Sequence, residues 1–393
     1  QHATIYTISE SPIAAGTIWA GTDDGNVWLT RDEGASWTQV DANIPDVSKG
    51  THVSRIVASA ADAATAYVSF DGHRSDNRAP WLFRTTDAGK TWQNLSGGLA
   101  LNSPIYVVEE DSRNPDLLFV GTEHGVQLSL DRGRSWRPMT NGLPTVAVYD
   151  IVIHPRDRDL ILGTHGRGIY VLDDITALEA WRPALAGKAA HLFAQRQATL
   201  WVDMSRSGQL GDNTYAGENP PYVQPADFQT RDRTHVVNTP LVTFYLGVGA
   251  SGTATLEVTG PDGTSRTMSI PAKPGITRYA LDMRSAAAIA AAAANAAASD
   301  EGGGGGGRAG GAGGRGAGAA GGRGAAGAAG AGGGRGAGGR GAAGGGGGAG
   351  GGAGGGRGGT VATPIGVYAL KLTIGSSTSV GSLVVRSDPL LRP

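Results

Sequence analysis

One six-residue motif occurs three times in this chain, and its repetition constrains the fold more than any other feature of the sequence. The motif reads Asp-x-Gly-x-Ser/Thr-Trp, with a Ser or Thr two residues before the Asp. The copies, which we call the box turns, span residues 30–37, 85–92 and 129–136, and their aspartates are 55 and 44 residues apart. Repetition at such a period indicates a fold built from a series of similar units.

Each position that the three box turns share has a structural explanation. An Asp at the head of a tight turn accepts hydrogen bonds from backbone N–H groups further along the turn. A Gly two positions later suits a left-handed backbone, and the Trp can pack between neighbouring sheets. We therefore interpret nine residues as structural rather than catalytic: Asp32, Gly34, Trp37, Asp87, Gly89, Trp92, Asp131, Gly133 and Trp136.

The residues around each box turn repeat as well. A β-hairpin is predicted before each copy and a short strand after it, followed by a turn and the first strand of the next unit. The predicted hairpins pair Thr17–Gly21 with Asn26–Thr30, Ala66–Phe70 with Trp81–Thr85, and Leu117–Gly121 with Val126–Ser129. Each unit therefore has four strands, and the box turn joins its third strand to its fourth.

A fourth unit starts near Val148 and departs from this pattern. Asp173 aligns with the aspartate of the box turns, but Ile175 replaces the glycine and no Trp follows at the matching position. A terminal repeat is often atypical because one of its faces lacks a neighbour. We therefore interpret the fourth unit as a terminal, capping unit.

The box turns resemble the Asp-box (BNR) repeat. Residues 1–181 are similar to the sortilin-type and BNR-type β-propellers of large secreted bacterial proteins, which are commonly labelled glycosyl hydrolase-like. The resemblance implies an all-β fold, a partial propeller of about four blades, and a secreted, periplasmic or cell-surface location. Propellers of this family usually close with six or more blades, so the missing blades are expected upstream or on another chain.

The remaining sequence predicts a linker over residues 182–235 and a small β-sandwich over residues 236–393. Short alternating runs and the hairpin marker Gly260–Gly263 support the sandwich, which resembles an immunoglobulin-like module. Residues 285–361 interrupt it with a Gly/Ala-rich insertion carrying single Arg residues. Residues 285–299 allow a short Ala helix, and the composition of the remainder predicts disorder, with packed polyglycine-type helices as the alternative. No aromatic residue is interleaved, so no nucleic-acid partner is expected.

Candidate binding residues lie at the end of each unit opposite its box turn, where the turn between the second and third strands meets the start of the first strand. Loops on a rigid scaffold commonly carry function. The longest and most polar of these tips, residues 71–78, is the first choice for ligand contact, and His52 and Tyr149 adjoin from the strand starts. The predicted binding residues are Asp23, Asp24, Asp71, His73, Arg74, Glu123, His124, His165 and Arg167.

Three functions remain open from the sequence. The leading hypothesis is a sortilin-like propeller that binds a peptide or a glycan on the face opposite the box turns. The alternative is a glycoside hydrolase completed by the missing blades. It requires two carboxylates across a cleft, for which Asp71 and Glu123 are the candidates. The third is a surface assembly protein that uses the Gly-rich insertion.

Composition excludes several other classes. With 33 basic and 34 acidic residues, the chain has no strong net field for nucleic acid or a membrane surface. It has no cysteine, hence no disulfide and no thiolate metal site. No apolar run reaches the ~20 residues of a membrane span, and zinc motifs and phosphate loops are absent. No cofactor is expected, although calcium at Asp23–Asp24 or Asp173–Asp174 stays open on adjacent carboxylates alone.

Overall fold

The computed structural model describes residues 4–200, 240–281 and 364–387. These residues form an all-β protein with a partial β-propeller followed by a two-sheet β-sandwich. The predicted insertion 285–361 and residues 201–235 of the predicted linker lie outside the described residues. Within the described ranges, no helix is long and apolar enough to cross a membrane.

The propeller part consists of four antiparallel sheets in chain order, as the box-turn repeat predicts. Blade 1 contains β1 (Ile5–Glu10), β2 (Ile18–Thr22), β3 (Val27–Thr30) and β4 (Thr38–Gln39). Blade 2 contains β5 (His52–Ala58), β6 (Ala66–Asp71), β7 (Trp81–Thr85) and β8 (Gln93–Asn94). Blade 3 contains β9 (Ile105–Glu110), β10 (Leu118–Thr122), β11 (Gly125–Ser129) and β12 (Arg137–Met139). Blade 4 contains β13 (Val148–Ile153), β14 (Leu160–Thr164) and β15 (Ile169–Leu172).

Blade 4 has three strands, where the repeat unit has four. In place of a box turn and a fourth strand, the chain enters the short helix α1 (Thr176–Glu179). The Asp174 carboxylate accepts hydrogen bonds from the backbone N–H and hydroxyl of Thr176, which favours a helical start. Ile175 is buried among residues of blades 3 and 4, so the residue that replaces the box glycine contributes to the core.

The three box turns share one hydrogen-bond pattern. In the first, one Asp32 oxygen accepts from the backbone N–H of Ser36 at 2.8 Å, and the other accepts from the Ser36 hydroxyl at 2.5 Å. The equivalent bonds recur at Asp87 and Asp131. The hydrogen bonds from Ser36 lower the pKa of Asp32 to about 2. The carboxylates are thus occupied in fixing the turns.

Each box-turn tryptophan of blades 2 and 3 also ties its blade to the preceding one. The indole N–H of Trp92 donates to the Val40 carbonyl at 3.0 Å, and that of Trp136 donates to the Leu95 carbonyl at 2.9 Å. Both acceptors directly follow the outermost strand of the preceding blade. The motif therefore sets the turn and the contact between neighbouring blades together.

The substitution Gly89→Ala is expected to destabilise the protein more than Gly34→Ala. Both glycines have a left-handed backbone, with φ of 82° and 91°, so an alanine adds similar backbone strain at either position. A Cβ at Gly89 would lie 2.6 Å from Val40 Cβ, whereas one at Gly34 would meet only the Trp37 ring at 3.7 Å. Overpacking should add about 1–3 kcal/mol to the cost at Gly89. Urea unfolding of both variants measures the difference. Equal losses of unfolding free energy would contradict the expected clash with Val40.

A buried ion cluster joins blades 3 and 4 to α1. The Arg158 side chain, 4% exposed, hydrogen-bonds to the carboxylates of Asp111 and Glu179. The Asn114 amide donates to the Glu179 backbone carbonyl at 2.9 Å. Because both carboxylates are also buried, the cluster fixes the end of the propeller part from three segments of the chain.

The sandwich packs a three-stranded sheet on a five-stranded one. The first sheet has the order β16 (Ala190–Leu192), β18 (Leu241–Leu246) and β21 (Gly275–Ala280). The second has the order β17 (Ala198–Leu200), β23 (Ser377–Ser387), β22 (Gly366–Ile374), β19 (Thr253–Thr259) and β20 (Ser265–Pro271). Both sheets contribute to one core that includes Phe244, Leu256 and Leu372.

The sandwich begins earlier in the chain than the sequence indicates. The predicted linker starts at residue 182, yet β16 pairs with β18 and β17 pairs in parallel with β23. Each of these strands has only three residues, too few for an alternating pattern to stand out from a loop. A 3-10 helix at Pro183–Gly187 precedes them.

Candidate functional site

A cleft of about 380 Å³ lies at the end of the blades that carries the turns between second and third strands, which we call the tip face. In an antiparallel blade, these turns and the start of the innermost strand lie at the end opposite the box turn. The cleft is therefore on the side that the sequence predicts for ligand binding. Its lining residues are Tyr6, Thr7, Ile8, His52, Ser54, Arg55, Asp71, His73, Arg74, Tyr106 and Tyr149.

A β-bulge occurs at the same position in the innermost strand of every blade. One residue of β1, β5, β9 and β13 is skipped in the pairing with the second strand. The skipped residues are Tyr6, Ser54, Tyr106 and Tyr149, and all four line the cleft. A bulge bends the strand and re-aims a side chain. The repeated bulge thus directs three tyrosines and one serine to the same site.

The aromatic side chains of the cleft contact one another across blade boundaries. The rings of Tyr106 and Tyr149 stack with centroids 4.1 Å apart and planes at 13°. Tyr6 of blade 1 meets His52 of blade 2 edge-on at 4.2 Å. Within blade 4, His165 lies against Tyr149 at 5.1 Å. Tyr6 and Tyr149 remain 59% and 41% exposed. The cleft therefore offers aromatic surface that is held by neighbours and open to a ligand.

Asp71 and His73 form a hydrogen-bonded pair in the cleft. The Asp71 side chain is 6% exposed, and its Oδ2 lies 2.5 Å from His73 Nδ1. The backbone N–H of His73 donates to the other carboxylate oxygen at 3.0 Å. Because a carboxylate only accepts, Nδ1 carries the proton and Nε2 is the ring nitrogen left for a ligand. Asp71 thus orients the imidazole of His73.

Tyr106 connects the cleft to the tip of blade 3. Its hydroxyl donates to the Glu123 carboxylate at 2.5 Å. Burial and this bond to Glu123 raise the pKa of Tyr106 above its usual range, so the phenol stays protonated. The Glu123 carboxylate is therefore occupied in part by Tyr106, which it holds under the Tyr149 ring.

Arg55 and Arg74 bring positive charge to the cleft, and His52 lines it with them. Arg55 pairs with Asp150 at 2.5 Å, whereas no ion pair is formed by Arg74 within the described part of the chain. Burial and the charge of Arg74 lower the pKa of His52. The buried Nδ1 of His52 has no hydrogen-bond partner among the described residues. A polar or anionic ligand group can therefore bind here.

Glu109 lies next to the Arg55–Asp150 pair, and burial raises its pKa to about 7. Since this value exceeds the 4.5 of an unperturbed Glu, the carboxyl stabilises the fold most below pH 4.5. That contribution is lost as the pH rises toward 7. The substitution Glu109→Gln should therefore increase the free energy of unfolding more at pH 8 than at pH 5. Equal increments in urea unfolding at the two pH values would contradict this prediction.

The structure brings together some of the predicted binding residues and leaves others apart. Asp71, His73 and Arg74 line the cleft, and Glu123 and His165 contact tyrosines that line it. Asp23 accepts a hydrogen bond from the Thr4 backbone, and Asp24 accepts from Thr22 and Asn26 within its own turn. His124 and Arg167 are outside the lining.

Tyr6, Ser54, Arg55 and Tyr106 line the cleft but were not among the predicted binding residues. They lie within the innermost strands, where alternation predicts a packing role. The available signal was a tyrosine at the equivalent place in three of the four units, Tyr6, Tyr106 and Tyr149.

In the part of the chain that the structure describes, no group of three or more His, Asp or Glu side chains could hold a metal ion. The two proposed calcium positions therefore offer adjacent carboxylates without further acidic or His ligands. The chemistry of the cleft is that of aromatic rings, an oriented imidazole, two guanidinium groups and the carboxylates of Asp71 and Glu123.

Comparison with known proteins gives fold-level similarity only. No family model matches the sequence, and no curated protein matches it. Among solved structures, YCF48 from Cyanidioschyzon merolae is 15% identical over 44% of this chain and 59% of its own, with a TM-score of 0.29. An ancestral GH74 enzyme is 13% identical over 69% of this chain and 33% of its own, with a TM-score of 0.37.

The GH74 xyloglucanase from Xanthomonas campestris is 14% identical over 70% of this chain and 38% of its own, with a TM-score of 0.36. The chain thus spans 59% of YCF48 and 33% and 38% of the two GH74 enzymes. Its own sheets define the class: an all-β protein that contains a partial β-propeller and a β-sandwich.

Proposed function

We propose that this protein is a secreted or cell-surface binding protein of the sortilin-like Asp-box type, which holds a peptide or a glycan in the cleft of the tip face. Further blades from outside the sequence complete the ring, and an immunoglobulin-like sandwich follows it. The observation that carries the proposal is the repeated bulge, which places a tyrosine in the cleft from three of the four innermost strands.

The chemistry of the cleft supports binding of an extended polar ligand. Exposed tyrosine rings give large contact area at low entropic cost and suit both the apolar faces of sugars and peptide side chains. Arg74 and the oriented His73 supply hydrogen bonds for carboxylate, hydroxyl or peptide groups. Because the rings sit on paired strands rather than on loop tips, the surface is preorganised and loses little entropy on binding.

A screen of peptide and glycan arrays tests this proposal, followed by titration of the best ligand. We expect Arg74→Ala to weaken binding about tenfold through loss of a charge-assisted hydrogen bond. Arg137→Ala, an exposed arginine on β12 next to a box turn, is the matched control and should leave the affinity unchanged. Equal losses in both variants would contradict binding at the tip face.

The second candidate function is glycoside hydrolysis, favoured by the oriented Asp71–His73 pair and by Glu123 at the edge of the same cleft. A glycan panel tests this reaction in the protein with its full ring. Hydrolysis that is abolished by both Asp71→Ala and Glu123→Ala supports it. No turnover by the unmodified protein, or turnover unchanged in the variants, excludes it.

A further inference from the structure

The outward face of blade 1 repeats a surface that is covered in each of the other three described blades. Ile8, Ile56, Val108 and Ile151 hold the same register position in the four innermost strands. In blades 2, 3 and 4 these residues are at most 3% exposed, because they pack against the preceding blade. Ile8 is 63% exposed.

The box turn of blade 1 shows the same difference. Trp92 is 8% exposed and Trp136 is partly buried, and each donates to a carbonyl of the preceding blade. Trp37 is 42% exposed, and its indole N–H donates to no acceptor among the described residues.

The box glycines mark the same contact from the other side. A Cβ at Gly89 or Gly133 would collide with Val40 or Leu95 of the preceding blade, at 2.6 and 2.8 Å. A Cβ at Gly34 would meet only the ring of its own Trp37. The space that Val40 and Leu95 fill at the other two box turns is therefore open at the first.

We propose that the surface formed by Ile8, Gly34 and Trp37, which we call the blade-1 face, docks a further four-stranded propeller blade that is not one of the four described. The outermost strand of that blade is followed by a branched aliphatic residue. This side chain fills the space beside Gly34, and its backbone carbonyl accepts the Trp37 N–H. The inference rests on the proposed ring but not on the identity of the ligand.

Continuity with the existing blade contacts identifies the occupant. The same set of contacts occurs between blades 1 and 2 and between blades 2 and 3. Head-to-tail docking against a second copy of this chain would use blade 4, its other terminal blade. Blade 4 has no fourth strand, so it lacks the strand after which the aliphatic residue and its carbonyl are presented.

A blade transplant tests the proposal directly. Residues 51–104, which carry blade 2 and its connection to blade 3, are duplicated and fused directly ahead of Ile5. This junction reproduces the native one between Pro104 and Ile105, and it brings the copied Leu95 to the blade-1 face. The chain has no cysteine, so Ile8→Cys provides a single thiol whose reaction rate reports burial, with Ile56→Cys in the unfused chain as the buried reference.

We expect the Ile8→Cys thiol to react about a hundredfold more slowly in the fusion than in the unfused chain, because local opening then limits access. Leu95→Asp in the copied blade should restore the fast rate. A thiol that reacts equally fast with and without the transplant would overturn the proposal, as would equal protection by the Leu95→Asp fusion. Protection in the unfused chain that rises with concentration, together with a dimer in sedimentation, would instead identify a second copy and also overturn it. Titration of Arg74→Ala with a ligand is independent of all these outcomes.

Discussion

Replacing Arg158 with alanine is expected to lower the free energy of unfolding by about 3–5 kcal/mol, because it removes the buried cation that two buried carboxylates share. Asp111 and Glu179 are at most 8% exposed, and they come from the end of β9 and from α1. Burial already raises the pKa of Glu179, which shows how poorly this environment solvates a negative charge. Urea unfolding at neutral pH measures the loss.

Arg113→Ala is the matched control. Arg113 reaches the same Glu179 carboxylate at 3.5 Å, but its side chain is 54% exposed. Exposed ion pairs contribute ~0–1 kcal/mol, so this variant should remain close to the parent. Similar losses in the two variants would contradict the account of the cluster, as would a small loss for Arg158→Ala.

The substitution Tyr149→Ala is expected to weaken ligand binding by about 10- to 100-fold, in the range of an aromatic hot spot. Tyr149 stacks on Tyr106 and is 41% exposed. It therefore combines a fixed ring with surface for a ligand. Isothermal titration with the ligand from the array screen measures the change.

Two further variants separate the ring from its surroundings. Tyr106→Phe keeps the stacked ring but removes the hydroxyl that donates to Glu123, so we expect a smaller loss than for Tyr149→Ala. Arg137→Ala removes an exposed side chain that is outside the cleft lining, and should leave the affinity unchanged. If Tyr149→Ala binds like the parent, the tyrosines are not the ligand surface.

The repeat made the fold predictable from the sequence. Three box turns with matching flanks locate the strands well, and the predicted hairpin of Ala66–Phe70 with Trp81–Thr85 differs from β6 and β7 by one residue. The end of each blade that carries the cleft also follows from the position of the box turn. Local turn chemistry and a regular period contain this information.

The residues that line the cleft were harder to predict from the sequence. Whether Tyr106 packs in a core or lines a cleft depends on a bulge, and a bulge adds no distinctive residue to the strand. Arg55 and Asp150 pair across two blades, a contact that depends on how the blades are arranged around their axis. The short strands β16 and β17 were missed because three residues carry no period.

The central claim is that ligand binds in the cleft of the tip face, and hydrogen exchange with and without the identified ligand tests it most directly. Binding there should slow the exchange of backbone N–H groups at residues 52–55, 71–76, 106 and 149, which carry the lining side chains. The box turns at 30–37, 85–92 and 129–136 should exchange as before. Protection confined to the box turns, with no change around the cleft, would contradict the claim.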